Sequence, residues 1–558
     1  MKNMVRREII KLIQKATGEK PEKIRVERPE EASHGDYSTN IALQLKRSPA
    51  EIAEKLRSDL FKKIEIAGPG FINFFLSKEY LQKRASEILK QGVKVFQKNP
   101  IKKEVIVIEY SSPNIAKPLG IHHLGSTIIG QALVNILRFV GHKVISLSFP
   151  GDWGTQFGLL IAAYKHWGDR EKLKADPIFE MLNLYVRFSQ AAKENTDLLE
   201  EGRDEFKKLE QGDKENKKIW KWFLDESLKD FSRVYKMLGV KIENTIGESF
   251  YEPELKSLVE VALKRGLAEK GEEGAIVVKL PGSGTPEIIQ KADGATIFTT
   301  RELAAIRHRL KKWHASKILY VAANQQTFHF RQVFGCAEKL GIAKKGQLFH
   351  VKFGMMLAPG GKKFATREGR LIPMEEVLKE SILRAKKIVD ELNPSLSEAE
   401  KENVAKEVGV GATKFFILSR NRLSDIVFDW DQMLNLKGFS APYIQYTCAR
   451  LNSILRKANF KKPKNRKVVI ANPLEKDIIV KILSFDEVVE DISQNHFPNQ
   501  LAEYLYSLAN VINNFYESTP VLKANEAEKD SRLNIVYLAK EIFKTGLNLL
   551  GISAPERM

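Results

Sequence analysis

The sequence predicts a multidomain α/β protein: a parallel α/β core, with a small α+β unit before it and an all-α bundle after it. Three observations carry this. Between Glu104 and about residue 375, short Val/Ile-rich runs alternate with segments of helical apolar period, as a parallel sheet requires. From about residue 376 onward nearly every segment has the helical period alone. Before residue 97, the Gly-Pro turn of AGPGFINFFLS (67–77) leads into an aromatic-rich strand. The expected units are therefore 1–97, 98–375 and 376–558, and a length of 558 residues suits three or four domains.

The elements follow in order. MKNMVRREIIKLIQKATG is an amphipathic helix with Val5, Ile9, Leu12 and Ile13 on one face; it lacks the long apolar stretch and cleavage site of a signal peptide. KQGVKVFQKNPIKK (90–103) is a basic linker. VIVIEY (105–110) is a buried strand, GSTIIGQALVNILRFVG a helix closed by Gly141, and KVISLSF the next strand. Residues 160–240 are charged and helical, an insertion in the sheet. ATIF, KILYVAA and LFHVKF are expected to be short strands. EEVLKESILRAKKIV, APYIQYTCARLNSILRKA and FPNQLAEYLYSLANVINNFYE are helices of a bundle of about 180 residues, a domain-sized unit. The basic cluster RKANFKKPKNRK (456–467) is a solvated connection.

Composition narrows the function. A net charge of +20 favours a polyanionic partner, nucleic acid first. The two cysteines, Cys336 and Cys448, are too few for a disulfide framework or a Cys-rich zinc site. No run of about 18 apolar residues is present, so no membrane span is expected, and the cytoplasm is the expected location.

The chemistry concentrates in EYSSPNIAKPLGIHHLGS (109–126), between the first core strand and its helix. In an open parallel sheet, ligands bind beyond the carboxyl ends of strands, where a helix N-terminus presents free N–H groups. There is no GxGxxG and no Walker lysine, so phosphate recognition must use side chains such as histidine and lysine.

SSPNIAKP followed by a His-bearing helix start and STIIG resembles the signature region of class I aminoacyl-tRNA synthetases, specifically the arginyl-tRNA synthetase family. Other segments resemble that family in the same order: HGDYSTNIA (34–42) and AGPGFINFFLS in its extra N-terminal domain, GDWGTQFG (151–158), DGATIFTTRELA (293–304), QQTFHFRQVF (325–334), GKKFATREG (361–369), FDWDQMLNLKGFSAPYIQYTCAR (428–450) and the terminal APERM. The resemblance spans the chain. It implies a class I Rossmann-like catalytic core with an anticodon-binding helical domain. The implied reaction is activation of L-arginine with ATP, as its Mg²⁺ complex, and transfer to the 3′ end of arginine tRNA. No tightly bound metal is expected, and a monomer is.

The same resemblance implies residue roles. Glu109 and Glu302 match the family's acidic contacts to the guanidinium, which needs carboxylates to accept its N–H fork. Ser111, Asn114, Phe298 and Gln326 match other arginine-side positions. Glu302 stands for the usual aspartate and Phe298 for the usual tyrosine, so one carboxylate reaches further and one hydroxyl is lost. Lys117, Gly120, His123, His329 and Lys363 match ATP-side positions, and Lys117, His122, His123, Lys363 and Arg367 are the candidate catalytic residues. Phe71 and Asn73 match positions facing the tRNA D-loop; Tyr443, Tyr446, Arg450, Tyr504 and Met558 match the anticodon side. Tyr443, Tyr446 and Arg450 share one helix face at i, i+3 and i+7; packing inside the bundle is the alternative role for the tyrosines.

The opening motif departs from the family's x-H-[IV]-G-H-L-R-S. Gly120 stands at the first histidine, His122 at the glycine and Gly125 at the arginine; His123 keeps its place. Three accounts stay open. His122 turns its imidazole toward the phosphates, adenine stacks on the His122 ring, or the chain is a catalytically weakened tRNA-binding paralogue. A class I nucleotidylyltransferase acting on a small substrate is a further alternative, disfavoured by the long helical C-terminal part.

Overall fold

A computed structural model describes residues 5–97, 103–281, 285–362, 372–463 and 465–558. Lys363 and Arg367 lie outside the described residues.

The core is a five-stranded parallel sheet. Its spatial order is Leu348–Phe353, Lys317–Ala323, Val105–Glu109, Lys143–Ser148, Asn244–Thr245. Ile106, Val107 and Ile108 are buried, as befits a strand with helices on both faces. From this central strand the chain runs outward to one edge, then returns to build Lys317–Ala323 on the other side. The strand order reverses between Val105–Glu109 and Lys317–Ala323, and a crevice opens beyond their carboxyl ends.

The helix His123–Phe139 leaves that crevice and is buried almost all round. One side packs on the sheet, and the other meets the C-terminal bundle, where the Asn135 amide donates to the carbonyls of Asn548 and Leu549, each at 3.3 Å. This explains the missing polar face in STIIGQALVNILRF.

The helical insertion holds Thr155–Trp167, Pro177–Glu194, Thr196–Gln211 and Lys214–Leu238. A small antiparallel sheet, Glu269–Lys270, Ile276–Val278 and Glu287–Gln290, precedes DGATIFTTRELA. Here one expectation is corrected. ATIF is no strand: Thr296 makes only an isolated bridge to Gln290, and a helix begins at Phe298. The cause is local: the Ile297 N–H donates to Thr300 Oγ1 at 3.2 Å, capping the helix start.

The N-terminal unit pairs strands Tyr37–Thr39, Phe71–Leu76 and Phe61–Ala67, in that order, and packs them against the short helices Ile41–Leu45 and Pro49–Glu54, with Val5–Thr17 and Lys78–Gln91 as its longer helices. It docks on the C-terminal bundle rather than standing apart. The Arg6 backbone N–H donates to Glu487 at 2.8 Å, Arg6 Nη1 to Asp491 at 2.7 Å and the Tyr37 hydroxyl to Glu487 at 3.0 Å, and Arg7 pairs with Glu490. The bundle runs from Met374–Leu392 to Glu526–Leu549. Among the described residues no helix is long and apolar enough to cross a membrane.

Candidate active site

Glu109 ends the central strand and is buried. Its carboxylate does not face an empty cavity: Arg309 Nη1 lies 2.5 Å from Oε2, and the Ser112 hydroxyl donates to Oε1 at 3.5 Å. Glu302, one turn into the helix Phe298–Trp313, is also buried, and its Oε2 has no hydrogen-bond partner among the described residues. Burial, with Glu109 close by, holds the Glu302 carboxyl well above the usual range.

A third acid completes the cluster. Glu248 is buried beside Arg301, whose Nη1 is 3.6 Å from its Oε2, and burial raises its pKa to about 7. Asp152, of the GDWG segment, accepts from the Ser249 N–H and hydroxyl at 2.8 and 2.7 Å and so fixes the turn that carries Glu248.

Asn114 sits opposite Gly151 in a short parallel bridge. A Cβ on Gly151 would lie 2.1 Å from Asn114 Oδ1 and 3.3 Å from Glu248 Oε1. Glycine is what lets the amide and the carboxyl approach one point. Ser111 lies underneath. It is fully buried with φ +53°, and its hydroxyl meets Tyr235 at 2.8 Å and Thr127 at 2.6 Å. It shapes the loop from below instead of facing the crevice. Phe298 is exposed and its ring packs tilted against that of His329, with centroids 5.1 Å apart. Gln326 is exposed in the turn after Lys317–Ala323.

The histidines have distinct settings. The Gly120 N–H donates to His123 Nδ1 at 3.1 Å, so the proton of a neutral ring is on Nε2. Burial and the neighbouring His122 push His123 down to about 3, which keeps it a neutral donor at physiological pH. His122 is exposed, and its ring lies 3.9 Å from that of His123. It lines a cavity of about 300 Å³ with Ile121, Gly125, Phe353, Met355 and Met356. A Cβ on Gly125 would meet the Phe353 ring at 2.7 Å, so here the aromatic ring takes up the space beside the helix start. Lys117 is half-buried with its ammonium 5.0 Å from the Tyr185 ring centre. Ile121 N–H donates to the Ile372 carbonyl at 3.0 Å and Met374 N–H to the Leu119 carbonyl at 2.7 Å; these bonds join the opening loop to the segment that follows GKKFATREG.

Comparison with known proteins bears on this arrangement. Residues 84–430 match the family described as class I (R) tRNA synthetases, catalytic domain; 444–558 match the DALR anticodon binding domain and 1–76 the arginyl tRNA synthetase N terminal domain. Arginine–tRNA ligase 1 of Bacillus cereus is 41% identical over 96% of this chain and 95% of its own length. The chain belongs to the arginyl-tRNA synthetase family. Arginine–tRNA ligase of Streptococcus thermophilus is 38% identical with both chains fully covered. The solved Thermus thermophilus arginyl-tRNA synthetase superposes with a TM-score of 0.85 at 25% identity, again over the full length of both. These matches carry no support for a non-catalytic relative.

The residues expected from the sequence to face tRNA lie in different settings. Phe71 is exposed on a groove lined also by Arg25, Arg28 and His34; Asn73 lines the same groove, though largely buried, and accepts from the Ser38 hydroxyl at 2.7 Å. Arg450 stacks between Tyr446 and Tyr516, 5.0 and 4.7 Å from the ring centres. The Tyr443 hydroxyl donates to Asn510 at 2.8 Å and accepts from Asn513 at 2.9 Å. Tyr504 is buried and donates to the Lys481 carbonyl at 2.9 Å, and Met558 is buried too.

Sequence reasoning missed Arg309 and Glu248. Arg309 is one of five lysines and arginines in RELAAIRHRLKKW (301–313), and Glu248 one acid among three in GESFYEPE (247–254). Nothing in either spacing singles them out.

Proposed function

We propose that the chain activates L-arginine with ATP to arginyl-adenylate and transfers the arginyl group to the 2′-hydroxyl of the terminal adenosine of arginine tRNA. The observation that carries this reading is the juxtaposition, at one switch point, of a buried cluster of acids and a neutral histidine donor.

In the first step a carboxylate oxygen of arginine attacks the α-phosphorus and pyrophosphate departs. Charge shifts among phosphate oxygens, so positioned donors and cations matter more than a base. The Nε2–H of His123 and the ammonium of Lys117 are assigned to those oxygens, with Lys363 and Arg367 outside the described residues. Mg²⁺ arrives with ATP and neutralises phosphate charge. Asn114, beside Gly151, takes the polar end of arginine; Glu302, Phe298 and Gln326 take its side chain, and Glu109 supports them. His122 is assigned to the adenine side, because it lines the cavity next to Gly125 and Phe353. In the second step the 2′-hydroxyl attacks the arginyl carbonyl carbon and AMP departs. Phe71 faces the D-loop side, while Tyr446 and Arg450 face the anticodon, where rings and guanidinium groups stack on splayed bases.

The test is arginine-dependent ATP–pyrophosphate exchange with and without tRNA. Exchange that requires arginine is expected, and His122→Gly should lower it at least about tenfold, a loss of ~1.4 kcal/mol. Absent exchange with retained tRNA binding contradicts the activity; an unchanged His122→Gly rate contradicts the assignment of His122.

A further inference from the structure

Beneath the pocket assigned to the substrate's guanidinium lies a guanidinium of the protein's own. Arg309 is completely buried on the helix Phe298–Trp313, two turns beyond Glu302 and so on the same face. Its Nη1 lies 2.5 Å from Glu109 Oε2 and donates to the Tyr320 hydroxyl at 2.9 Å. The guanidinium centre is 4.9 Å from the Phe149 ring and 5.6 Å from that of Tyr320. Buried charge at such a site persists only when paired. Glu302 Oε2, like Glu109 Oε2 and Arg309 Nε and Nη2, is buried with no hydrogen-bond partner among the described residues, but Glu302 also lacks an ion pair there.

We infer that Arg309 is a positioning residue for arginine recognition: it takes up the charge of Glu109 and leaves Glu302 as the acid that the substrate's guanidinium satisfies. The inference rests on the reading of this pocket as the arginine site. The charged and titratable neighbours come from several elements, and burial shifts the Glu109 carboxyl upward as well. Glu109 comes from the central strand, Tyr320 from Lys317–Ala323, and Glu248 and Tyr251 from the turn held by Asp152. Arg301, on the same helix as Arg309, is engaged by Glu248 and, at 2.7 Å, by Glu252. Arg301 and Arg309 thus each pair with a carboxylate of another element, whereas Glu302 has no ion-pair partner among the described residues; Arg309 Nε and Nη2 stay buried without a hydrogen-bond partner.

A proton balance follows. Burial, with Glu109 and Glu248 near and outweighing Arg309, favours the uncharged form of Glu302 before arginine binds. The substrate cation favours the carboxylate. Arginine binding therefore releases a proton and tightens as pH rises. Without Arg309, Glu109 and Glu302 face each other uncompensated, and ionisation moves to still higher pH.

The full-length enzyme is assayed for exchange with tRNA present, as kcat/KM for arginine against pH. Arg309→Gln should raise the arginine KM at pH 7 at least about tenfold and move the acidic limb up by about one unit, tenfold in affinity corresponding to one unit. Arg309→Lys, which keeps the charge, should recover most of the limb's position. Calorimetric titration of the unmodified enzyme with arginine at pH 6, in two buffers of different ionisation enthalpy, should show release of about one proton per arginine. A lower KM in Arg309→Gln means Arg309 competes with substrate and overturns the proposal. An unmoved limb, with equal losses in both variants, overturns it as a packing effect only. If Arg309→Gln fails to fold, absence of proton release from pH 5 to 8 in the unmodified enzyme overturns it. Glu302→Gln with an unchanged arginine KM would instead sink the pocket reading itself.

Discussion

Glu248 carries a stability signature. Burial raises its pKa to about 7 in the folded chain, above the ordinary 4.5. A carboxyl group raised in this way contributes stability fully present below about 4.5 and lost as pH rises through about 7. The difference is on the order of 3 kcal/mol. The melting temperature of the arginine-free protein should therefore fall between pH 5 and 8, and Glu248→Gln should flatten that fall; scanning calorimetry decides. At this scale the sequence displays the residues that sit in linear motifs: Glu109, Asn114, Lys117 and His123 share one short loop. It hides Arg309 and Glu248, because their meaning lies in contacts made 200 and 53 residues away, to Glu109 and Arg301 respectively. It also hides that Ser111 and Tyr504 point into packed surroundings, since motif position says nothing about which way a side chain turns.

Among elements, the junction between the central strand and the helix His123–Phe139 does the positioning. Its polypeptide passes so close to Gly151 that a methyl group there must displace the Asn114 amide. The side chain can move, so Gly151→Ala should unfold little but lower kcat/KM for arginine by about 100-fold, the scale of an ångström-sized misplacement. Steady-state kinetics beside a melting curve separates the two effects. Periodicity located the core strands and the helices of the bundle, because burial on both faces and the helical apolar stripe leave direct traces. It misassigned ATIF, where a Thr-capped helix start mimics a short apolar strand.

For the molecule as a whole, the N-terminal unit and the C-terminal bundle form one surface through Arg6, Arg7 and Tyr37 against Glu487, Glu490 and Asp491. Glu487 is fully buried. Glu487→Ala would strand the Tyr37 hydroxyl and one side of Arg6, a loss of about 2 kcal/mol. Faster amide exchange across Val5–Thr17 and weaker tRNA binding should follow, and amide exchange unaltered there would show the two units are held by other contacts. Such docking is invisible to local pattern, because it joins residues more than 400 positions apart.

The central claim is that the buried acid cluster reads a positive side chain. It is tested most directly by charging arginine tRNA with arginine and with citrulline, which keeps the length and shape but carries a neutral ureido group. The account predicts charging with arginine and, for citrulline, a kcat/KM lower by at least about 1000-fold, as expected when a buried acid loses its ionic partner. Comparable charging of both would contradict it.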